Sequence, residues 1–326
     1  MRPTNSNQPD PEEQQRLEQD YGYAAIYTAK LLYKQKPVID REALYAKIQE
    51  YAGPLNTAED LEGQEETLAV WEARESVNDN GESQEQLEDH YHFFHLNHTL
   101  EYQEGPMPVQ TVLMPSVNGV HPEEYETALQ QSWHWPEVAE TLAGCSYEMI
   151  LTDMMARGMP HQRRLPLFNH VLRAILEVVP CDAVYYNESD KLVDPQALLQ
   201  AFSQGHELYG ALNIRLYNIQ SDNGRREMVM DSRGLAALGV PDVQCHFYDI
   251  EPAEVAQFLM NTAEYLYHQG DIIADGETIG MHENQRWKVE HQYSLVGPRR
   301  VVLDVDPGEA YYAGMHESNR SSRSQG

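Results

Sequence analysis

Positively charged side chains are scarce in this chain. Its 326 residues hold 23 Lys plus Arg against 52 Asp plus Glu, a formal net charge of -29, and no lysine occurs between Lys47 and Lys191. This balance argues against nucleic acid as a direct partner, because a binder must neutralise phosphates with Lys and Arg and release their counterions. Cysteine is sparse as well. Cys145, Cys181 and Cys245 lie far apart with no CxxC pair, which argues against a disulfide framework or a thiolate metal site and predicts buried free thiols. Long apolar runs are missing: the helix-like stretch from Leu165 to Val179 is too short and too interrupted to span a bilayer, so no membrane partner is expected. The amino terminus lacks a basic and apolar leader with a small-residue cleavage site, which predicts a cytoplasmic protein. There is no Gly-rich phosphate loop, no HExxH, no dinucleotide fingerprint, and no GxSxG around Ser146, Ser189 or Ser232. These absences weigh against an enzyme without excluding one, and no cofactor and no bound metal are expected.

What the chain has in excess is acid. Between Asn56 and Glu104 fourteen carboxylates stand against one basic residue, Arg74. Such a run repels itself and marks a solvated or partner-facing surface. On the second reading, Glu59, Asp60, Glu62, Glu65 and Glu66, with Glu82, Glu85, Glu88 and Asp89, pair with Arg and Lys of a partner. A basic protein is the natural complement, since opposite fields speed encounter and exclude wrong partners.

Two further features stand out. Trp133-His134-Trp135-Pro136 sets two indoles just before a helix, and Trp133 and Trp135 offer large, rigid contact area. The competing reading is a staple, with one indole in the core and the other over a helix end. The tract DHYHFFHLNH carries His90, His92, His95 and His98. On a strand His90 and His92 share a face, a spacing that suits a metal, but nothing nearby fixes a third and fourth ligand. Asp304-Val305-Asp306 also puts two carboxylates on one strand face, as outward polar positions of an ordinary antiparallel strand do. A metal-dependent hydrolase built on the histidine tract and Asp304 is therefore the alternative function, and an adaptor or chaperone for a secreted effector is a third.

The pattern along the chain predicts an α+β fold, a mixed sheet with packed helices preceded by an N-terminal helical hairpin. Residues 1–11 read as a disordered tail. Leu17, Tyr21, Ala24, Thr28 and Leu31 recur at helical spacing, and Asp40 caps a second helix carrying Leu44, Ile48 and Tyr51, so 12–53 reads as the hairpin. Residues 54–90 are the acidic segment, with an amphipathic helix expected around Leu61, Leu68 and Trp71. Residues 91–306 read as one mixed α/β domain, opened by two strands around Gly105-Pro106 and closed by strands at 287–295 and 301–305. Residues 307–326 read as a flexible tail.

Met228 to Phe247, MVMDSRGLAALGVPDVQCHF, followed by a helix and by Asp275-Gly276-Glu277-Thr278-Ile279-Gly280, resembles an uncharacterised bacterial family of unknown function found beside secreted-toxin systems. The resemblance covers roughly the last two thirds of the chain and brings no catalytic residues. It implies an immunity protein that binds a cognate toxin or effector of type VI secretion. Gly234 and Gly239 bracket a short apolar turn, so Leu235 and Leu238 are expected to plug the end of a sheet.

Overall fold

Thr28–Tyr33 form a strand, β1, and not the end of a helix. In the computed structural model, which describes residues 22–53, 55, 70–72, 90–103, 105–220, 224–282 and 285–316, β1 pairs antiparallel with a strand on either side. Leu31 and Leu32 point to opposite faces of that sheet and both are fully buried. This corrects the expected helical hairpin. The helical spacing of Ala24, Thr28 and Leu31 is overridden because a central strand covered on both faces shows no two-residue alternation to read. The second helix of the expected pair is present as α1, Arg41–Ala52, with the Asp40 carboxylate accepting from Ala43 N. Residues 12–21 lie outside the described residues.

The chain divides into two compact units: Ala25–Gly210, and Ala211–Gly326 joined by Met1–Ala24. The division falls within the stretch 91–306. The first unit is built on β1, β2 (Val70–Glu72), β3 (Tyr91–Tyr102), β4 (Gly105–Pro115), β5 (Tyr147–Met154), β6 (Ala183–Tyr186) and β7 (Lys191–Val193), in the spatial order β2-β3-β4-β5-β1-β6-β7 with every pair antiparallel. Trp71 thus sits on a strand and not on the expected helix. β3 and β4 make the hairpin predicted around Gly105-Pro106. Two short helices, α2 (Glu126–Gln130) and α3 (Val138–Gly144), join Leu32, Ala183, Tyr185 and Leu192 in one core cluster. The long helix α4, His161–Val178, buries Leu165, Phe168, Val171, Leu172 and Ile175, and Phe168 meets Tyr27 edge-on at 5.0 Å. Next to that contact lies a buried ion pair. Arg164 Nε and Nη2 donate to the two Asp153 oxygens at 2.6 and 2.9 Å, and Tyr27 N donates to Asp153 Oδ1 at 2.7 Å. α5, Pro195–Ser203, is capped by the Asp194 carboxylate on Ala197 N.

The second unit holds β8 (Asn213–Gln220), β9 (Arg226–Arg233), β10 (Asp242–Phe247), α6 (Pro252–Gln269), β11 (Thr278–Ile279), β12 (Trp287–Tyr293) and β13 (Val301–Asp306). Its sheet has the order β11-β12-β13-β10-β9-β8 and is mixed, because β10 and β13 run parallel. Val243, Cys245 and Phe247 share one face of β10, and α6 supplies the apolar stripe Val255, Phe258, Leu259, Ala263 and Leu266. Leu235 and Leu238 are buried at the turn between β9 and β10, as expected, with Gly239 in the left-handed conformation at φ 82°. Ala24 N donates to Ala237 O at 3.0 Å, which ties Ala24 to this turn. Both units together make the fold α+β with antiparallel and mixed sheets.

The opposite face of the second sheet is polar. Strand register sets Glu290, Asp304, Gln244, Asp231 and Arg215 side by side, one from each of β12, β13, β10, β9 and β8. All five are buried. Residues 311–313 extend this layer, with Tyr248 N donating to Tyr311 O and Ala313 N to His246 O, both at 2.9 Å.

Candidate functional site

The loop between α2 and α3 is held from within. Ser132 Oγ donates to Ala128 O at 2.7 Å, Trp135 N donates to Ser132 O at 3.0 Å, and His134 Nε2 donates to Leu192 O at 3.1 Å. Burial, and then the nearby Lys191 ammonium, hold His134 below the ordinary histidine value, so its ring adds no cation here at neutral pH. Trp135 lies in the core cluster at 9% exposure, whereas Trp133 is 71% exposed, its ring roughly perpendicular to that of His134 with centroids 6.2 Å apart. The two tryptophans have therefore parted: one anchors the loop and the other is presented by it.

The sequence on either side of Trp133 is acidic. Glu123, Glu124, Glu126, Glu137 and Glu140 are all exposed, and the chain has no Lys or Arg between Arg74 and Arg157. Glu124 takes Lys30 at 3.3 Å, and Glu123 lies 3.6 Å from His121. Glu126, Glu137 and Glu140 have no ion-pair partner among the described residues. Glu59, Asp60, Glu62, Glu65, Glu66, Glu82, Glu85, Glu88 and Asp89 lie outside the described residues.

The histidine tract is dispersed. His92 lies on β3, and His95, three residues on, points to the other face. His95 is buried, hydrogen-bonded through Nε2 to Thr111 Oγ1 at 2.9 Å, and burial drives its pKa down to about 3. His98 Nδ1 accepts from Arg163 Nη2 at 3.3 Å. Among the described residues no group of three or more His, Cys, Asp or Glu side chains is placed to hold a metal ion. The thiols are not activated: burial pushes Cys145 up to about 11 and raises Cys181 and Cys245 as well.

In the second unit the carboxylates of the polar row are engaged. Asp304 accepts from Gln244 Nε2 at 2.8 Å, Tyr312 Oη at 2.5 Å and His316 Nε2 at 3.0 Å. Asp231 accepts from Arg215 Nε and Nη2 at 2.9 and 2.6 Å and from Arg300 Nη2 at 2.8 Å. Asp242 accepts from Arg300 Nε at 2.8 Å, Ser232 Oγ at 3.0 Å and Leu235 N at 3.1 Å. Most of this network falls in one stretch of sequence. Residues 231–306 match the model of a domain of unknown function, DUF4261. The DUF4261 segment begins on Asp231 and ends on Asp306, so it carries Asp231, Asp242, Gln244, Glu290, Arg300 and Asp304, while Arg215, Tyr312 and His316 are supplied from outside it. No curated protein and no solved structure matches the chain. Among the described residues no helix is long and apolar enough to cross a membrane. Sequence reasoning did not find the Arg300–Asp231–Asp242 network, since its members are up to 69 residues apart and only strand register gathers them.

Within the matched segment, His291 sits between two carboxylates, Nδ1 on Asp275 at 2.7 Å and Nε2 on Asp271 at 3.1 Å. The bond to Asp271, followed by that to Asp275, raises its pKa from 6.5 to about 9 against the effect of burial. The raised folded value means the proton is bound more tightly in the folded chain. Its stabilisation is complete below pH 6.5 and is lost as pH rises through about 9. Thermal midpoints measured from pH 6.5 to 9.5 should therefore fall for the native chain and fall less for His291→Gln; parallel curves for the two would count against this assignment.

Proposed function

We propose that this protein is an immunity protein that binds a secreted antibacterial toxin, a nuclease effector of type VI secretion, and neutralises it by steric and electrostatic occlusion. The observation that carries the reading is Trp133, a solvent-presented indole on a loop held by hydrogen bonds to Ala128 and Leu192, in a stretch whose Glu126, Glu137 and Glu140 have no ion-pair partner among the described residues. Exposed aromatic anchors dominate protein interfaces. A nuclease must present Lys and Arg to phosphates, so an acidic surface is complementary to its working face. The net charge of -29 adds long-range steering to the contact.

The reading is tested by using the chain as bait in cells of its source. Recovery of one basic protein in stoichiometric amount, toxic when expressed alone and harmless when co-expressed with this chain, is the expected result. A stoichiometric partner that is not toxic would instead establish an adaptor or chaperone. With the partner in hand, replacing Glu59, Asp60, Glu62, Glu65 and Glu66 by lysine should slow association at least several-fold at low salt, because it reverses part of the field that steers encounter. An unchanged association rate removes this block from the interface.

A further inference from the structure

Guanidinium groups in this chain are repeatedly held between an aromatic face and a carboxylate. Arg173 lies over the Tyr51 ring at 4.4 Å while its Nε donates to Glu177 at 3.1 Å. Arg225 lies over Tyr248 at 3.6 Å while its Nη2 donates to Glu227 at 2.7 Å. Trp133 offers the same two ingredients. It presents an aromatic face, the strongest of the three ring types for a cation, and Glu137 and Glu140 stand four and seven residues further along the chain with exposed carboxylates. The cation is what is missing, since no Lys or Arg lies over the indole among the described residues.

We infer that Trp133 is an arginine-receiving site, which a partner completes by stacking a guanidinium on the indole and pairing it with Glu137 or Glu140. Arginine fits better than lysine for a geometric reason. A planar guanidinium can lie flat on the ring and still direct two N–H groups in its own plane to a carboxylate, whereas an ammonium is a compact, strongly hydrated charge that gains little from the flat face. An apolar partner side chain would satisfy the indole but leave the glutamates to be desolvated without compensation. The loop is set before binding, because Ser132, Trp135 and His134 are all tied down, so little ordering entropy opposes the contact.

The inference deepens the proposed function by naming the group the partner contributes, and it is tested without that partner. Tetra-arginine peptide is titrated into the full chain at physiological salt while the indole N–H resonances are followed by NMR, with the Trp133 signal assigned from Trp133→Phe. The Trp133 signal should shift saturably, several-fold tighter than with tetra-lysine, while the Trp135 and Trp287 signals stay in place. Glu137→Gln with Glu140→Gln should weaken the arginine response by about two- to fivefold, the loss expected on removing a solvent-exposed ion pair. Equal affinities for the two peptides, or a Trp133 signal that does not move, overturn the inference. The two ideas fail separately. Peptide binding without a toxic partner leaves this site standing and removes the immunity reading. A captured toxin whose Kd is unchanged by Trp133→Ala removes this site alone.

Discussion

Replacing Asp231 by alanine should unfold the six-stranded unit under conditions where the native chain is intact. Asp231 is fully buried and receives three hydrogen bonds from two arginines, Arg215 and Arg300, themselves buried. Its removal leaves Arg215 without its carboxylate and Arg300 with Asp242 alone. The desolvation cost of the Arg215 charge is then no longer offset, and breaking a buried pair in this way costs about 3–5 kcal/mol. That is a large share of the roughly 5–15 kcal/mol by which a typical domain is stable. Asp231→Asn, which keeps an acceptor and the volume, should lose less. Urea unfolding followed by hydrogen exchange on β8, β9 and β10 reads the effect. Protection in these strands that survives the alanine change would show that Asp242 and entering water suffice to hold the two arginines.

The matching experiment in the other unit is Arg164→Met. Arg164 and Asp153 are both about 2% exposed, and the side chain of Asp153 meets no other cation among the contacts described above. With methionine in place, Tyr27 N still donates to Asp153 but the carboxylate charge is stranded, again at about 3–5 kcal/mol. The double change Arg164→Met, Asp153→Asn should restore a substantial part of the loss, because neither partner is then charged while Tyr27 N keeps an acceptor. Thermal midpoints of the three proteins decide this. A double variant no more stable than the single one would mean that packing of the guanidinium stem, and not its charge, is what the site needs.

Local patterns carried much of the fold. The β3–β4 hairpin, α4, α6 and the last two strands were legible because Gly and Pro mark their ends and their apolar periods are regular. β1 was not legible, because a central strand buried on both faces has the composition of a helix core. The buried charges were invisible for a different reason. Asp231, Asp242 and Arg300 look like surface residues one by one, and only the register of β8, β9, β10 and β13 turns them into a network. The site was half readable. The motif Trp133-His134-Trp135 was visible, but which indole faces solvent depends on the turn that places Trp135 against Leu142 and Tyr185.

The order in which the second unit is spelled out in the chain has a consequence for its birth on the ribosome. Ala24, which hydrogen-bonds to Ala237, is made early, and then 186 residues of another unit must be translated before Ala211 appears. The first unit, Ala25–Gly210, is a continuous stretch and can close as it emerges. The second cannot, since β10 needs β13 as its parallel neighbour, and Asp231 and Asp242 wait for Arg300, some sixty residues later. A nascent chain arrested before Arg300 should therefore expose two aspartates without their shared cation, and it is in that interval that this protein most needs chaperone cover.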